Sequence, residues 1–201
     1  MSRRPGRRSG FSGSREEILR AARMKFAERG YDGTTVRGIA EEAKVDSALV
    51  HHFFKSKEGV FAAAMEDALR IGEVMPSLLA DGLDGIGERL LRTFFTLWES
   101  QDKRETMVAV IRSATSHDEA VRMLRAFVST EVIGRLAEAI ERPNASMRAA
   151  LVGSQLIGLI MIRYIVRVNP IASADTETLV AAYAPVIQRY LTAELDLPGG
   201  E

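Results

Sequence analysis

Between Ile18 and Leu191 the apolar residues of this chain return every three or four positions, and no segment alternates for the length of a strand. Segments with that period bury one stripe only as helices, so the chain is read as all-α, with about nine helices packed on one another. Start and stop signals divide them. Ser14-Arg15-Glu16-Glu17 has the spacing of a capping box and is expected to open the first helix, with its stripe at Ile18, Leu19, Ala22 and Phe26 and its end at Gly30. Thr34 or Thr35 can cap a second helix (Val36, Ile39, Ala40, Ala43) and Asp46 a third. Ser56 can cap a fourth, along Val60, Phe61, Ala64, Met65 and Ala68. Pro76 and the Gly-containing run 81–87 mark the next boundary.

Further stripes fall at Ile86, Leu90, Phe94, Leu97 and Trp98, at Met107, Val110, Ile111 and Ala114, and at Val121, Leu124, Val128, Leu136 and Ile140. Residues 147–168 are apolar nearly all round, and a last stripe runs from Leu179 through Tyr183, Val186, Ile187 and Tyr190 to Leu191, with Pro185 expected to kink it. The longest apolar run, 149–162, is shorter than the roughly 20 residues a bilayer span needs, and no apolar run follows the Arg-rich start, so neither a membrane span nor a signal peptide is expected. The chain has no Cys, which excludes disulfides, thiolate metal sites and a Cys nucleophile and fits a reducing, cytoplasmic setting.

Formal net charge is zero, but its distribution is uneven. Residues 1–57 hold 13 Lys/Arg against 7 Asp/Glu, a net of +6, and the remainder holds 14 against 20, a net of −6. A basic first quarter on an acidic remainder points to an anion-binding module on a carrier. The plain alternative is a basic tail with no partner, since Arg3, Arg4, Arg7 and Arg8 alone supply +4. The domain reading is a flexible basic arm over 1–13, a DNA-binding domain over 14–74 with its helix-turn-helix at about 37–56, and a C-terminal domain over 75–201.

The informative stretch is 34–57, TTVRGIAEEAKVDSALVHHFFKSK. Two short helices joined by Lys44-Val45 form a helix-turn-helix pattern. On the second of them Ser47, Ala48, His51 and His52 share one face, while Val50, Phe53 and Phe54 lie opposite and can lock the helix to its neighbours. A short helix that is polar outside and aromatic inside suits insertion into a major groove.

These residues resemble the DNA-binding domain of TetR-type (TetR/AcrR) transcriptional regulators. The segments that carry the likeness are Phe26-Ala27-Glu28-Arg29-Gly30-Tyr31, Thr34-Thr35-Val36-Arg37-Gly38-Ile39-Ala40, the run from Ala43 to Phe54, and Lys55-Ser56-Lys57-Glu58-Gly59-Val60-Phe61. The likeness covers about 14–74. Lys44 departs from it, standing where Gly is usual; a left-handed non-Gly residue there costs roughly 1–2 kcal/mol. His51 stands at the family's Tyr position, and Ala48 and Leu49 are also unusual. The resemblance implies that Thr35 and Arg37 contact phosphate and that Ser47, Ala48 and His52 face base edges. By the same resemblance Leu49 meets a thymine methyl, while His51 and Lys57 hold the backbone. The arm would enter an adjacent minor groove.

Enzymatic signals are missing from the sequence: there is no GxSxG, HExxH or P-loop pattern, and Gly82-Leu83-Asp84-Gly85-Ile86-Gly87 reads as a helix entry. Adjacent His51 and His52 diverge by about 100° and do not share a metal ion. No cofactor, metal site or catalytic residue is expected. For the carrier, 147–168 is more apolar than its own core requires, and Ser154 and Gly158 allow close helix approach. With the stripe 179–191 it matches the intersubunit four-helix bundle that the resemblance implies, and so a homodimer on a palindromic operator. The resemblance also implies a small-molecule pocket. Phe94, Trp98, Met107, Ile111, Phe127, Met161 and Tyr164 are candidates to line it for an apolar or amphipathic effector, with Arg163 or Glu131 available to a ligand charge. The reading is a ligand-relieved repressor binding double-stranded operator DNA. The alternatives are a regulator controlled by a protein partner or by none, and a helical small-molecule-binding or enzymatic protein in which the helix-turn-helix is incidental.

Overall fold

The structure, a computed structural model, describes residues 10–99, 104, 107–108 and 118–195. In chain order its helices are α1 (Gly10–Arg29), α2 (Val36–Ala43), α3 (Ser47–Phe54), α4 (Lys57–Leu69), α5 (Ile71–Leu79), α6 (Ile86–Glu99), α7 (Asp118–Phe127), α8 (Arg135–Glu138), α9 (Ala145–Ile160) and α10 (Thr176–Thr192). π-helical segments Val128–Gly134 and Met161–Ile165 join α7 to α8 and extend α9. Among the described residues the regular structure is all helical, as the period predicts. Two compact units divide the chain: Met1–Leu69 with Glu105–Leu124, and Arg70–Arg104 with Arg125–Glu201.

In the first unit α1 packs on α2 and α4, and α3 packs on α2 and α4. The core is the apolar stripe read from the sequence: Ile18, Leu19, Ala22, Phe26, Ile39, Ala40, Val50, Val60 and Phe61 are all buried. Phe26 stacks on Tyr31, and Phe61 meets both rings edge-on with centroids 5.1 and 5.3 Å away. Helix α1 differs from expectation at its start. Residues 10–13 are already helical, so Ser14 lies inside the helix instead of capping it and the arm is shorter than 1–13. Once a turn is formed, each added residue gains a ladder hydrogen bond, and a local capping signal does not stop that growth. Gly30, at φ +70°, ends the helix as expected.

In the second unit α6 lies against α10, and α9 lies against α10 and the π segment before α8. Gly87 is required there, because a Cβ would come within 2.3 Å of the Ala184 carbonyl oxygen. Gln188 of α10 receives the Gly87 amide (2.9 Å) and donates to the Leu83 carbonyl (2.8 Å), so a side chain from one helix closes the entry to the other. The expected boundary at Pro76 is not there. Pro76 lies inside α5, and the break falls at Arg70, which is left-handed at φ +50°. A proline removes one ladder bond, whereas a left-handed residue turns the chain out of the helix altogether. Pro185 likewise sits inside α10 without ending it.

The stripe around Val110, Ile111 and Ala114 lies outside the described residues, as do the basic residues Arg3 to Arg8. With its π extension α9 spans Ala145–Ile165, 21 residues that include an 18-residue window of mean hydropathy 1.5 and so pass by length and composition for a membrane-crossing helix. Length and composition alone do not make it a membrane span; the π turn carries the helix beyond the apolar run 149–162 read from the sequence, to Ile165.

Candidate nucleic-acid interface

Helices α2 and α3, the start of α4 and the two tight corners between them form the candidate surface. Thr35 is extended at φ −121° and caps α2, its hydroxyl oxygen accepting from the Gly38 amide at 3.0 Å. Capping uses only the acceptor side of the hydroxyl, so its O–H can still donate. Thr34 is buried and lies within hydrogen-bonding reach of the Gly30 and Lys25 carbonyls, 2.7 and 2.9 Å away. The sequence left the cap open between the two threonines; Thr35 is the cap.

The turn between α2 and α3 is the strained one foreseen. Lys44 is left-handed (φ 56°, ψ 42°), and its amide and that of Val45 return to the carbonyls at the end of α2. Asp46 then caps α3, its carboxylate accepting from the Ala48 amide at 2.7 Å. Val50 and Phe54 anchor α3 inward, whereas Phe53 is half-buried with its ring edge against His52. On the outer side Ala48, His51 and His52 are exposed, and Ser47 and Leu49 are half-buried.

At the corner after α3, Lys55 takes φ +67°, and the Ser56 amide donates to Phe54 across a three-residue turn. Its amide donates to the His51 carbonyl at 2.9 Å, and its carbonyl lies 3.1 Å from His51 Nδ1. Ser56 caps α4 through the Gly59 amide, as expected. Gly59 is needed because a Cβ would sit 2.0 Å from the Phe54 carbonyl oxygen.

Lys57 lies over the Tyr31 ring, its Nζ 4.1 Å from the centroid. The Tyr31 hydroxyl donates to Glu58 at 3.0 Å. Hydrogen bonding from Ser56 first, then from the Glu58 backbone and Tyr31, holds the Glu58 carboxyl below its ordinary range. Arg37 is exposed and pairs with Glu41 at 2.9 Å, a surface pair weak enough (about 0–1 kcal/mol) to yield to a phosphate. Sequence reasoning missed Tyr31, Lys55 and Gly59. A glycine in the first turn of a helix was the available signal for the last; nothing local marks the other two.

The candidate pocket residues are only partly brought together. Phe94, Trp98 and Tyr164 form a continuous stack in the second unit, with centroid separations of 5.9 and 5.3 Å. The Arg163 guanidinium lies 5.6 Å from the Phe95 and Tyr164 rings, donates to the Ile171 and Ala174 carbonyls and sits 4.0 Å from Glu99. The Tyr164 hydroxyl is buried with no hydrogen bond of good geometry among the described residues; burial pushes its pKa up, and the Arg163 guanidinium close beside it works against that shift. Met161 is half-buried in the π segment and Phe127 is buried in the same unit. Met107 lies in the first unit, lining a small niche with Arg23, Phe26, Phe61, Ala64, Met65 and Ala68 that has room for about one water. Ile111 lies outside the described residues. Glu131 pairs with Arg135 at 2.7 Å. Among the described residues no His, Asp and Glu are grouped as metal ligands.

A capped helix held between two others, with its polar side outward and a lysine fixed at the next helix start, defines a helix-turn-helix DNA-binding protein; the second unit is a separate helical body. Comparison with known proteins gives the lineage. Residues 18–64 match the model for bacterial regulatory proteins of the tetR family, and residues 84–191 match the tetracyclin repressor-like C-terminal domain. A TetR-family regulator from Streptomyces coelicolor A3 shares 39% identity, superposes with a TM-score of 0.72, and is matched over 93% of this chain and 99% of that one. The chain belongs to the TetR family, whose named relatives are transcriptional regulators, not enzymes. The HTH-type transcriptional repressor AcnR of Corynebacterium glutamicum is 48% identical over 63 residues, 31% of this chain and 34% of that protein. The repressor KstR2 of Rhodococcus jostii is 35% identical over 111 residues, 54% of this chain and 53% of that protein. The chain thus spans about a third to a half of the length of these curated relatives.

Proposed function

We propose that the protein is a repressor that binds a palindromic operator as a homodimer and is released by an apolar or amphipathic small molecule. The observation that carries the DNA reading is the outer side of α3. Ala48, His51 and His52 are exposed beside half-buried Ser47 and Leu49, on a helix anchored by Val50 and Phe54. In this reading Ser47, Ala48 and His52 meet base edges and Leu49 a thymine methyl. Thr35, Arg37, His51 and Lys57 meet phosphates. Residues 14–74 act as the reading module and 75–201 as the carrier. Repression is favoured by the likeness to AcnR and KstR2, both transcriptional repressors.

The effector reading rests on the aromatic stack of Phe94, Trp98 and Tyr164, with Met161 and Phe127 in the same unit. Tyr164 offers a buried hydroxyl that a ligand acceptor would satisfy. A gel-shift titration with the DNA upstream of its own gene tests the whole reading. Lys57→Ala is expected to weaken every duplex alike and to lower the salt slope by about 1, whereas Ser47→Ala or His52→Ala alters sequence preference. Absent or salt-insensitive binding to every duplex, or Lys57→Ala affinity equal to the parent, would overturn it.

A further inference from the structure

We propose that His51 meets the DNA backbone only as an imidazolium, so that duplex binding takes up a proton at each reading head. The inference rests on the reading above that α3 docks on DNA. Its geometry is the clasp at the end of α3, where His51 Nδ1 faces the Lys55 carbonyl at 3.1 Å while the Lys55 amide donates back to the His51 carbonyl. A carbonyl only accepts, so Nδ1 carries the hydrogen. In the neutral ring Nε2 is then a bare lone pair, and the exposed side of the ring offers an acceptor. A phosphate is also only an acceptor. The two repel until a proton arrives at Nε2, after which the contact is a charge-assisted hydrogen bond. A neutral ring with its hydrogen on Nε2 could reach phosphate only by abandoning the Lys55 carbonyl.

The surroundings set the direction of the linkage. His51 lies in the last turn of α3, where the helix carbonyls favour a cation. The elements packed against α3 bring Arg15 from α1, Arg37, Glu41 and Glu42 from α2, and Lys57 and Glu58 from α4. The adjoining turns add Lys44, Asp46 and Lys55, and α3 itself adds His52. Each nearby acid is engaged elsewhere: Glu41 with Arg37, Glu42 with Lys25, Glu58 with Tyr31, and Asp46 with the Ala48 amide. Among the described residues none ion-pairs with His51. A DNA phosphate placed at this corner adds negative charge beside Nε2, so the complex holds the proton more firmly than the free protein does. Imidazole is the side chain that can turn this nitrogen from an acceptor into a charged donor by taking up one proton, which is what links the contact to pH.

The test measures affinity at fixed ionic strength for a mixed-sequence duplex of roughly 40 base pairs, which suffices because phosphate contacts carry no sequence information. The parent protein is expected to bind at least tenfold more weakly at pH 8 than at pH 6, the limit being about tenfold per pH unit for each linked proton and a dimer having two. His51→Gln donates from its amide at any pH, so its affinity stays level and at pH 8 equals or exceeds that of the parent. His51→Lys stays charged over this range and gives the same level profile should the Gln variant fold poorly. His52→Gln retains the fall, which separates the two histidines. Calorimetry in buffers of different ionisation enthalpy is expected to register proton uptake in the parent and none in His51→Gln. A level parent profile, or a fall that persists in His51→Gln and His51→Lys, would overturn the proposal while leaving the DNA reading intact. No salt-dependent binding at either pH would overturn both.

Discussion

Glu58 and Gly59 share the first turn of α4, and each is fixed by a different constraint. The Glu58 carboxyl is held below its ordinary range, first by Ser56, so its folded pKa is depressed relative to the unfolded chain. Such a group contributes stability above its unfolded value, and the contribution is lost as pH falls through its folded value. Glu58→Gln is therefore expected to melt below the parent at neutral pH, and the gap is expected to narrow as the pH falls below the ordinary glutamate range and the carboxyl takes up its proton. Thermal denaturation at neutral and at acid pH checks it; a gap that widened in acid would contradict the assignment. Gly59 answers to space alone. The Cβ of Gly59→Ala would be driven against the Phe54 carbonyl oxygen, a backbone atom that cannot swing away. The expected loss is about 1–3 kcal/mol by urea denaturation, with the corner after α3 displaced.

At the scale of elements, Arg148 shows how a single side chain ties two helices. It is 3% exposed at the start of α9, and its guanidinium donates to the Pro143, Tyr190 and Ala193 carbonyls at 2.8–2.9 Å. The latter two are terminal carbonyls of α10 that the helix itself leaves without a partner. Arg148→Met keeps much of the volume but strips three acceptors of their donor, so a loss of about 2–4 kcal/mol is expected in urea unfolding. Arg148→Lys, a point charge without the fork, is expected to recover only part of it. No sequence pattern announced this role, because Arg148 stands on an otherwise apolar segment and two of its three partners lie more than 40 residues away. The legible elements were those decided locally. Asp46, Ser56 and one of two threonines could be named as caps because a cap acts within three residues of itself, and the stripe of α4 could be named because burial follows period. The start of α1, the break at Arg70 and the π turns were not legible, since each depends on how far a helix propagates once tertiary contacts hold it. The outward side of α3 was partly legible from period: Ala48, His51 and His52 are exposed, whereas Ser47 and Leu49 are half-buried. Its supports, Tyr31 beneath Lys57 and Lys55 behind His51, arise from contacts between elements that periodicity does not report.

For the whole molecule the unsolved surface is that of α9 and α10. Met147, Ile157, Val166, Val168 and Val186 are all more than a third exposed, and only 28% of the apolar window within 145–165 is buried inside the chain. Large apolar side chains left this exposed, on and just beyond a helix only partly covered by its own chain, are what an interface between copies would cover. At Gly158 nothing lies within 4 Å of where a Cβ would stand, and Ser154 beside it turns its hydroxyl back to the Leu151 carbonyl at 2.7 Å. Both residues thus leave room for another backbone to approach, which is what a second copy of the chain would need. Ile157→Glu places a charge that association would have to desolvate, and is expected to convert a dimer into a folded 22.1 kDa monomer by sedimentation equilibrium, with helical content unchanged. Since a palindromic site is read by two heads on one body, the monomer should also lose most of its duplex affinity while keeping an intact α3. A parent protein that sediments as a monomer at micromolar concentration would remove the dimer, and a dimer that survives Ile157→Glu would move its interface away from α9.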